Sequence, residues 1–133
     1  MQTKLALSKG IYRLYTATVN GNENTTHRQT ILKMKRNIQL AHQSERPDGS
    51  IHYKYGSLHF IVANGRVVWM QNNCKPEKGW KRDDHLYLKL NKELGIEEDV
   101  TLFDLKVRNI KCNLKYNLNK LKWKIRLQLN PVK

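Results

Sequence analysis

Acidic residues are scarce in this chain, and so are cysteine, proline and motifs of known chemistry. Two cysteines, Cys74 and Cys112, are too few for a disulfide scaffold, and neither sits in a CxxC or His-rich spacing that would hold zinc. Cys112 falls on the apolar side of an alternating run, so a reduced, inert core thiol is expected there. No segment approaches the ~20 uninterrupted apolar residues of a membrane span, and residues 1–10 contain no apolar signal region. A soluble, cytoplasmic protein with no membrane partner is therefore expected. The absence of Walker A, HExxH, GxSxG, RNP and two-Cys-two-His patterns implies no cofactor and no metal. There is no internal repeat and no low-complexity segment.

What is present in excess is positive charge. Lys and Arg number 25 against 11 Asp and Glu, a formal charge of +14. Solubility needs far less, so the balance points to an acidic partner, with nucleic acid the first choice and an acidic protein surface the second. The charge is uneven: Glu93, Glu97, Glu98, Asp99 and Asp104 bunch together, and no acid follows Asp104. A length of 133 residues suits one domain, 1–133.

Taken in order, Lys4–Ser8 and Ile11–Val19 are short apolar, β-branched and aromatic runs that read as two strands. Asn20-Gly21-Asn22 is a turn signal. Thr26 with Gln29 three residues on forms a capping box, and Ile31, Met34, Ile38 and Ala41 recur behind it at helical spacing. Gln29, Lys33 and Arg36 fall on the far side of that helix and should add to the charged surface. Pro47-Asp48-Gly49 ends it and leads into a strand, Ile51–Tyr55. Leu58–Ala63 and Arg66–Gln71 flank Asn64-Gly65, a two-residue hairpin signal, with Phe60 expected opposite Trp69 and both faces apolar and covered. Asn72–Arg82 is a polar loop holding Lys75, Lys78, Trp80, Lys81 and Arg82. From Asp83 to Leu94 a helix is favoured over a strand because Leu94-Gly95-Ile96 resembles a glycine stop with its hydrophobic follower.

The last stretch, Leu105–Leu129, alternates. Ile110, Cys112, Leu114 and Tyr116 alternate with polar residues, and so do Leu121, Trp123, Ile125, Leu127 and Leu129. This is the period of a half-buried strand, so a long C-terminal β-hairpin turning at Asn117–Lys120 is expected. Its polar face would gather Lys111, Lys115, Lys122, Lys124 and Arg126, with like charges opposed across the strands at a cost of roughly 0.2–1 kcal/mol per pair. The whole reads as an α+β single domain with a largely antiparallel sheet and one or two helices packed on it.

Two sites follow for a polyanion. The hairpin cations suit phosphate neutralisation more than base reading, because lysine predominates over arginine. In the loop, Trp80 among Lys78, Lys81 and Arg82 could stack an unpaired base of DNA or RNA. Of the five histidines, His59 reads as a core residue and His27 as a surface one. His52 beside Lys54 is the catalytic candidate, since metal-free RNA cleavage needs a general base next to a cation. In element order and charge, the stretch from Thr26 to Gln71 is similar to the RelE-like endoribonucleases. That resemblance implies a metal-independent endoribonuclease such as a toxin or phage effector, and it carries over no individual residue. The expected functions are thus phosphate-backbone binding, RNA cleavage, or docking on an acidic protein.

Overall fold

The structure is a computed structural model that describes residues 4–19, 21–72 and 74–129. The chain divides into two compact units, Met1–Glu98 and Asp99–Lys133.

The first unit is a mixed five-strand sheet with helices on one face. Strand β1 (Ala6–Leu7) leads into helix α1 (Lys9–Thr18) and then α2 (His27–Leu40). Strands β2 (His42–Glu45), β3 (Ile51–Tyr55), β4 (Leu58–Ala63) and β5 (Arg66–Asn72) follow as an antiparallel meander, with helix α3 (Asp84–Leu94) behind them. The sheet order is β1-β5-β4-β3-β2, and β1 lies parallel to β5.

The segment expected as a strand over Ile11–Val19 is α1. Its apolar residues Ile11, Tyr15 and Val19 are four apart, the helical spacing, and Ser8 starts it by accepting a hydrogen bond from the Ile11 amide at 3.2 Å. Thr26 caps α2 as expected, accepting from the Gln29 amide at 3.2 Å. Asp83 caps α3, and Gly95 ends it in the left-handed conformation. Strand β2 was not foreseen: His42-Gln43-Ser44-Glu45 has no apolar member, and pairing with β3 alone makes it an edge strand.

Leu7, Tyr15, Met34, Tyr53, Phe60, Val67 and Met70 form the core under α1 and α2. The hairpin β4–β5 turns at Asn64-Gly65 as read, with φ of 52° and 73°. Its register differs from the sequence expectation, because an irregularity at Ile61/Val62 leaves Val68 unpaired and sets Phe60 opposite Met70 and Ile61 opposite Trp69. That bulge turns Trp69 out of the core, and Val68 and Trp69 are 52% and 39% exposed. The hairpin is therefore packed on one face, not two. On α2, Lys33 and Arg36 are buried rather than part of a charged surface.

The second unit holds α4 (Leu102–Leu129), a continuous 28-residue helix, and this corrects the expected C-terminal β-hairpin. Asp104 accepts from the Thr101 amide at 2.9 Å and the Asp104 amide donates to the Thr101 hydroxyl at 3.2 Å, a reciprocal start to the helix. The run contains no glycine or proline to make the supposed turn, and only Val107, Ile110 and Ile125 are β-branched. Leucine, lysine and arginine dominate it, and these are good helix formers. Cys112, expected in a core, is exposed on this helix.

Candidate nucleic-acid interface and a histidine-bearing sheet face

A helix redistributes the α4 cations. At about 100° per residue, Lys111, Lys115, Lys122 and Arg126 fall with Arg108 inside an arc of about 60°, and all five are exposed. Lys124 lies about 200° from Lys122 by the same count, on the side of Lys106 and Lys120. Four of the five cations assigned from sequence are thus brought together, one is separated, and Arg108 is gained. No acid interrupts the stripe between Arg108 and Arg126.

The loop cations divide similarly. Lys75, Lys78 and Lys81 are exposed. Arg82 is drawn inward, its Nε 2.8 Å from Asp84 Oδ1 and its guanidinium 5.3 Å from the Tyr87 ring. Trp80 folds back on the sheet: its ring meets Tyr55 edge-on at 5.2 Å and lies 3.5 Å from where a side chain on Gly56 would start. Its indole N–H is buried with no hydrogen-bond partner among the described residues. Trp80 is an anchor for the loop, and its ring is not laid out as a stacking platform.

Sequence reasoning missed a third cluster. Lys4, Lys35 and Arg66 line an open depression of about 460 Å³ beside the Asn64-Gly65 turn, together with Leu5 and Ala6, and no acid lines it. The turn itself was legible, but Lys4 and Lys35 reach it only through the β1–β5 pairing and the seating of α2 on the sheet.

The sheet face turned away from the core carries histidines. Cross-strand pairing places His42 beside Lys54, His52 beside Ile61, Lys54 beside His59, and His59 beside Gln71. His52 Nδ1 and His59 Nε2 are 3.1 Å apart, so one imidazole donates to the other. His59 also meets the Trp69 ring edge-on at 5.0 Å. Burial, and then the positive neighbours His52, Lys54 and Arg46, lower the His59 pKa below its ordinary value, with Glu77 opposing. His59 is therefore not the core histidine expected from sequence. Glu77 ties down the edge of this face, 2.5 Å from His42 Nδ1 and 3.3 Å from Lys54 Nζ, and hydrogen bonds from those two hold it below the usual carboxylate range. His27 is exposed, as expected, with its Nε2 3.0 Å from the Leu7 carbonyl.

Among the described residues no group of three or more His, Cys, Asp or Glu is arranged to hold a metal ion, and no helix is long and apolar enough to cross a membrane.

Comparison with known proteins gives one family. The YorE family model matches residues 5–93, more than half of the chain. The chain belongs to the YorE family. No curated protein and no solved structure matches it. The YorE match runs from just before β1 to within one residue of the end of α3, so the sheet and its histidine face lie inside it, as do Lys35 and Arg66 of the depression, while Lys4 lies one residue ahead of it. Helix α4 and its basic stripe lie outside the matched YorE residues.

Proposed function

We propose that the protein binds nucleic acid in the cytoplasm by gripping the phosphate backbone, with the α4 stripe as the principal contact. One observation carries this reading: Arg108, Lys111, Lys115, Lys122 and Arg126 share one exposed helix face with no acid between them. A helix face that merely meets solvent commonly mixes signs, as α3 does where Lys89 lies 3.8 Å from Glu93 one turn on. On α4 the pairs Lys111–Lys115 and Lys122–Arg126 are like charges at that spacing, each destabilising by roughly 0.2–0.5 kcal/mol. A polyanion would relieve them. Lysine predominance favours phosphate contact over base reading, and Lys75, Lys78 and Lys81 add charge on the first unit.

The test is a titration of labelled single- and double-stranded DNA and RNA over a range of salt. Neutralising five phosphates predicts a slope of about −3.5 to −4.5 in log affinity against log salt. Purified protein that ignores every oligonucleotide while capturing an acidic protein would transfer the same cations to the other class of partner.

A second reading rests on the His52–His59 contact. With Lys54 on the same face and Trp69 available to stack a base, the pair could take the 2′-hydroxyl proton of RNA and support metal-independent cleavage. Cleavage that survives EDTA and disappears in His52→Ala would support it. RNA left intact on long incubation removes it.

A further inference from the structure

Helix α4 exposes a long row of large apolar side chains. Phe103, Ile110, Leu114, Leu118, Leu121 and Ile125 are all exposed, Phe103 to 73%, and Val107 is half-buried among them. Counted at about 100° per residue, these seven fall within an arc of about 80°. A contiguous apolar stripe of this length marks an interaction surface. A second group, Cys112, Tyr116, Trp123 and Leu127, lies on the opposite side but is broken by Asn119 and Lys120, so the first stripe is the better seam.

The spacing of that seam names its occupant. From Phe103 to Ile125 the steps are 4, 3, 4, 4, 3 and 4 residues, which read the same in both directions about Leu114. Phe103, Leu114 and Ile125 repeat every 11 residues, as do Val107 with Leu118 and Ile110 with Leu121, a period close to that of a straight α-helix. A second α4 laid antiparallel would meet it with Phe103 at the level of Ile125, Val107 at Leu121, Ile110 at Leu118, and Leu114 at its own copy.

The two directions place the flanking charges differently. In a parallel pair, the right- and left-flanking cations of the two helices meet at matching levels, Arg108 near the copy's Lys106 and Lys122 near its Lys124. In an antiparallel pair the two basic stripes turn to the same side and interleave, because reversing one helix also reverses the sense in which its residues wind. Asp104, the one acid on α4, then falls between the levels of Lys122 and Arg126 of the other copy, at both ends of the seam.

We infer that α4 pairs antiparallel with α4 of a second copy through the Phe103–Ile125 stripe, and that the pair presents both basic stripes as one surface for a nucleic-acid backbone. The second clause rests on the proposed function; the pairing does not.

The experiment uses the full chain with Cys74→Ser and Cys112→Ser, carrying Val107→Cys in one preparation and Leu121→Cys in another. Mixed and oxidised, the two should form mainly the 107–121 disulfide. Two copies of Val107→Cys lie about 21 Å apart along an antiparallel pair at 1.5 Å per residue, so that variant alone should stay uncrosslinked. Abundant 107–107 disulfide, or no crosslink in the mixture, overturns the pairing. Sedimentation equilibrium of the unaltered chain should give twice its 15.7 kDa, and Ile110→Glu with Leu118→Glu should give a monomer with an unchanged near-ultraviolet signal from the sheet unit. A monomer that binds oligonucleotides overturns the pairing alone. A dimer that binds none leaves the pairing standing and removes the proposed function. Where both hold, the salt slope of the Ile110→Glu/Leu118→Glu variant should fall to about half that of the dimer.

Discussion

Glu98 is the residue on which the α2–α3 packing turns. Arg36 Nη1 lies 3.1 Å and Lys33 Nζ 3.6 Å from its Oε2, and the Tyr87 hydroxyl donates to its other oxygen. Arg36 also donates to Asn91 at 2.8 Å and lies 4.1 Å over the Tyr87 ring. Burial alone would raise the Glu98 pKa, but Arg36, the Tyr87 hydrogen bond and Lys33 outweigh it, and the net direction is below the ordinary 4.5. A carboxylate depressed in the folded state contributes stability that is fully present above about pH 4.5 and lost as pH falls through its lower folded value. Acid titration followed by circular dichroism should therefore show a loss of stability below pH 4.5 that Glu98→Gln largely lacks. Glu98→Ala leaves Arg36, only 4% exposed, as an uncompensated buried charge, and should cost about 3–5 kcal/mol in urea unfolding. His59 has the opposite chemistry but the same sign. Its lowered pKa means the unfolded chain takes up a proton first, so stability declines as pH drops below about 6.5, and His59→Gln should flatten that part of the profile. None of this was legible in the sequence. Lys33 and Arg36 have the composition of a solvated helix face, and only the distant Glu98 and Asn91 make them core residues.

At the scale of elements, caps and turns were legible and side-chain alternation was not decisive. Thr26, Asp83, Gly95 and Asn64-Gly65 each act within a few residues of backbone, so α2, α3 and the β4–β5 hairpin could be placed from sequence. The C-terminal alternation misled for a geometric reason. Two residues along a helix turn the side chain by about 200°, close to the 180° of a strand, so a helix with apolar stripes on opposite sides mimics a strand wherever both stripes are filled. Ile110, Cys112, Leu114 and Tyr116 do this. What separates the two is the 11-residue recurrence, together with the lack of a turn residue among Asn117–Lys120. The correction has a measurable consequence, because a strand would keep Lys122 and Lys124 together while the helix parts them. Lys122→Glu should weaken oligonucleotide binding by severalfold more than Lys124→Glu at the same ionic strength, and equal losses would count against the stripe.

For the molecule as a whole, the division after Glu98 separates two kinds of stability. The first unit has a sheet, a core under α1 and α2, and the Glu98 network to hold it. The second consists largely of α4, whose exposed apolar stripe finds no cover among the described residues of its own unit. Helix stability grows with length, and in proteins most of it comes from packing an amphipathic face on a partner. If a second copy supplies that partner, α4 helicity is linked by mass action to protein concentration while the sheet unit is not. Far-ultraviolet circular dichroism should then lose helix signal on dilution, with the near-ultraviolet signal of Tyr53, Phe60 and Trp80 unchanged. Adding a polyanion should restore the helix at low concentration, because neutralising the like charges along Arg108–Arg126 removes the repulsion that opposes both folding and pairing of α4. Helix content that ignores both dilution and polyanion would mean that α4 needs neither a second copy nor a nucleic acid to be stable.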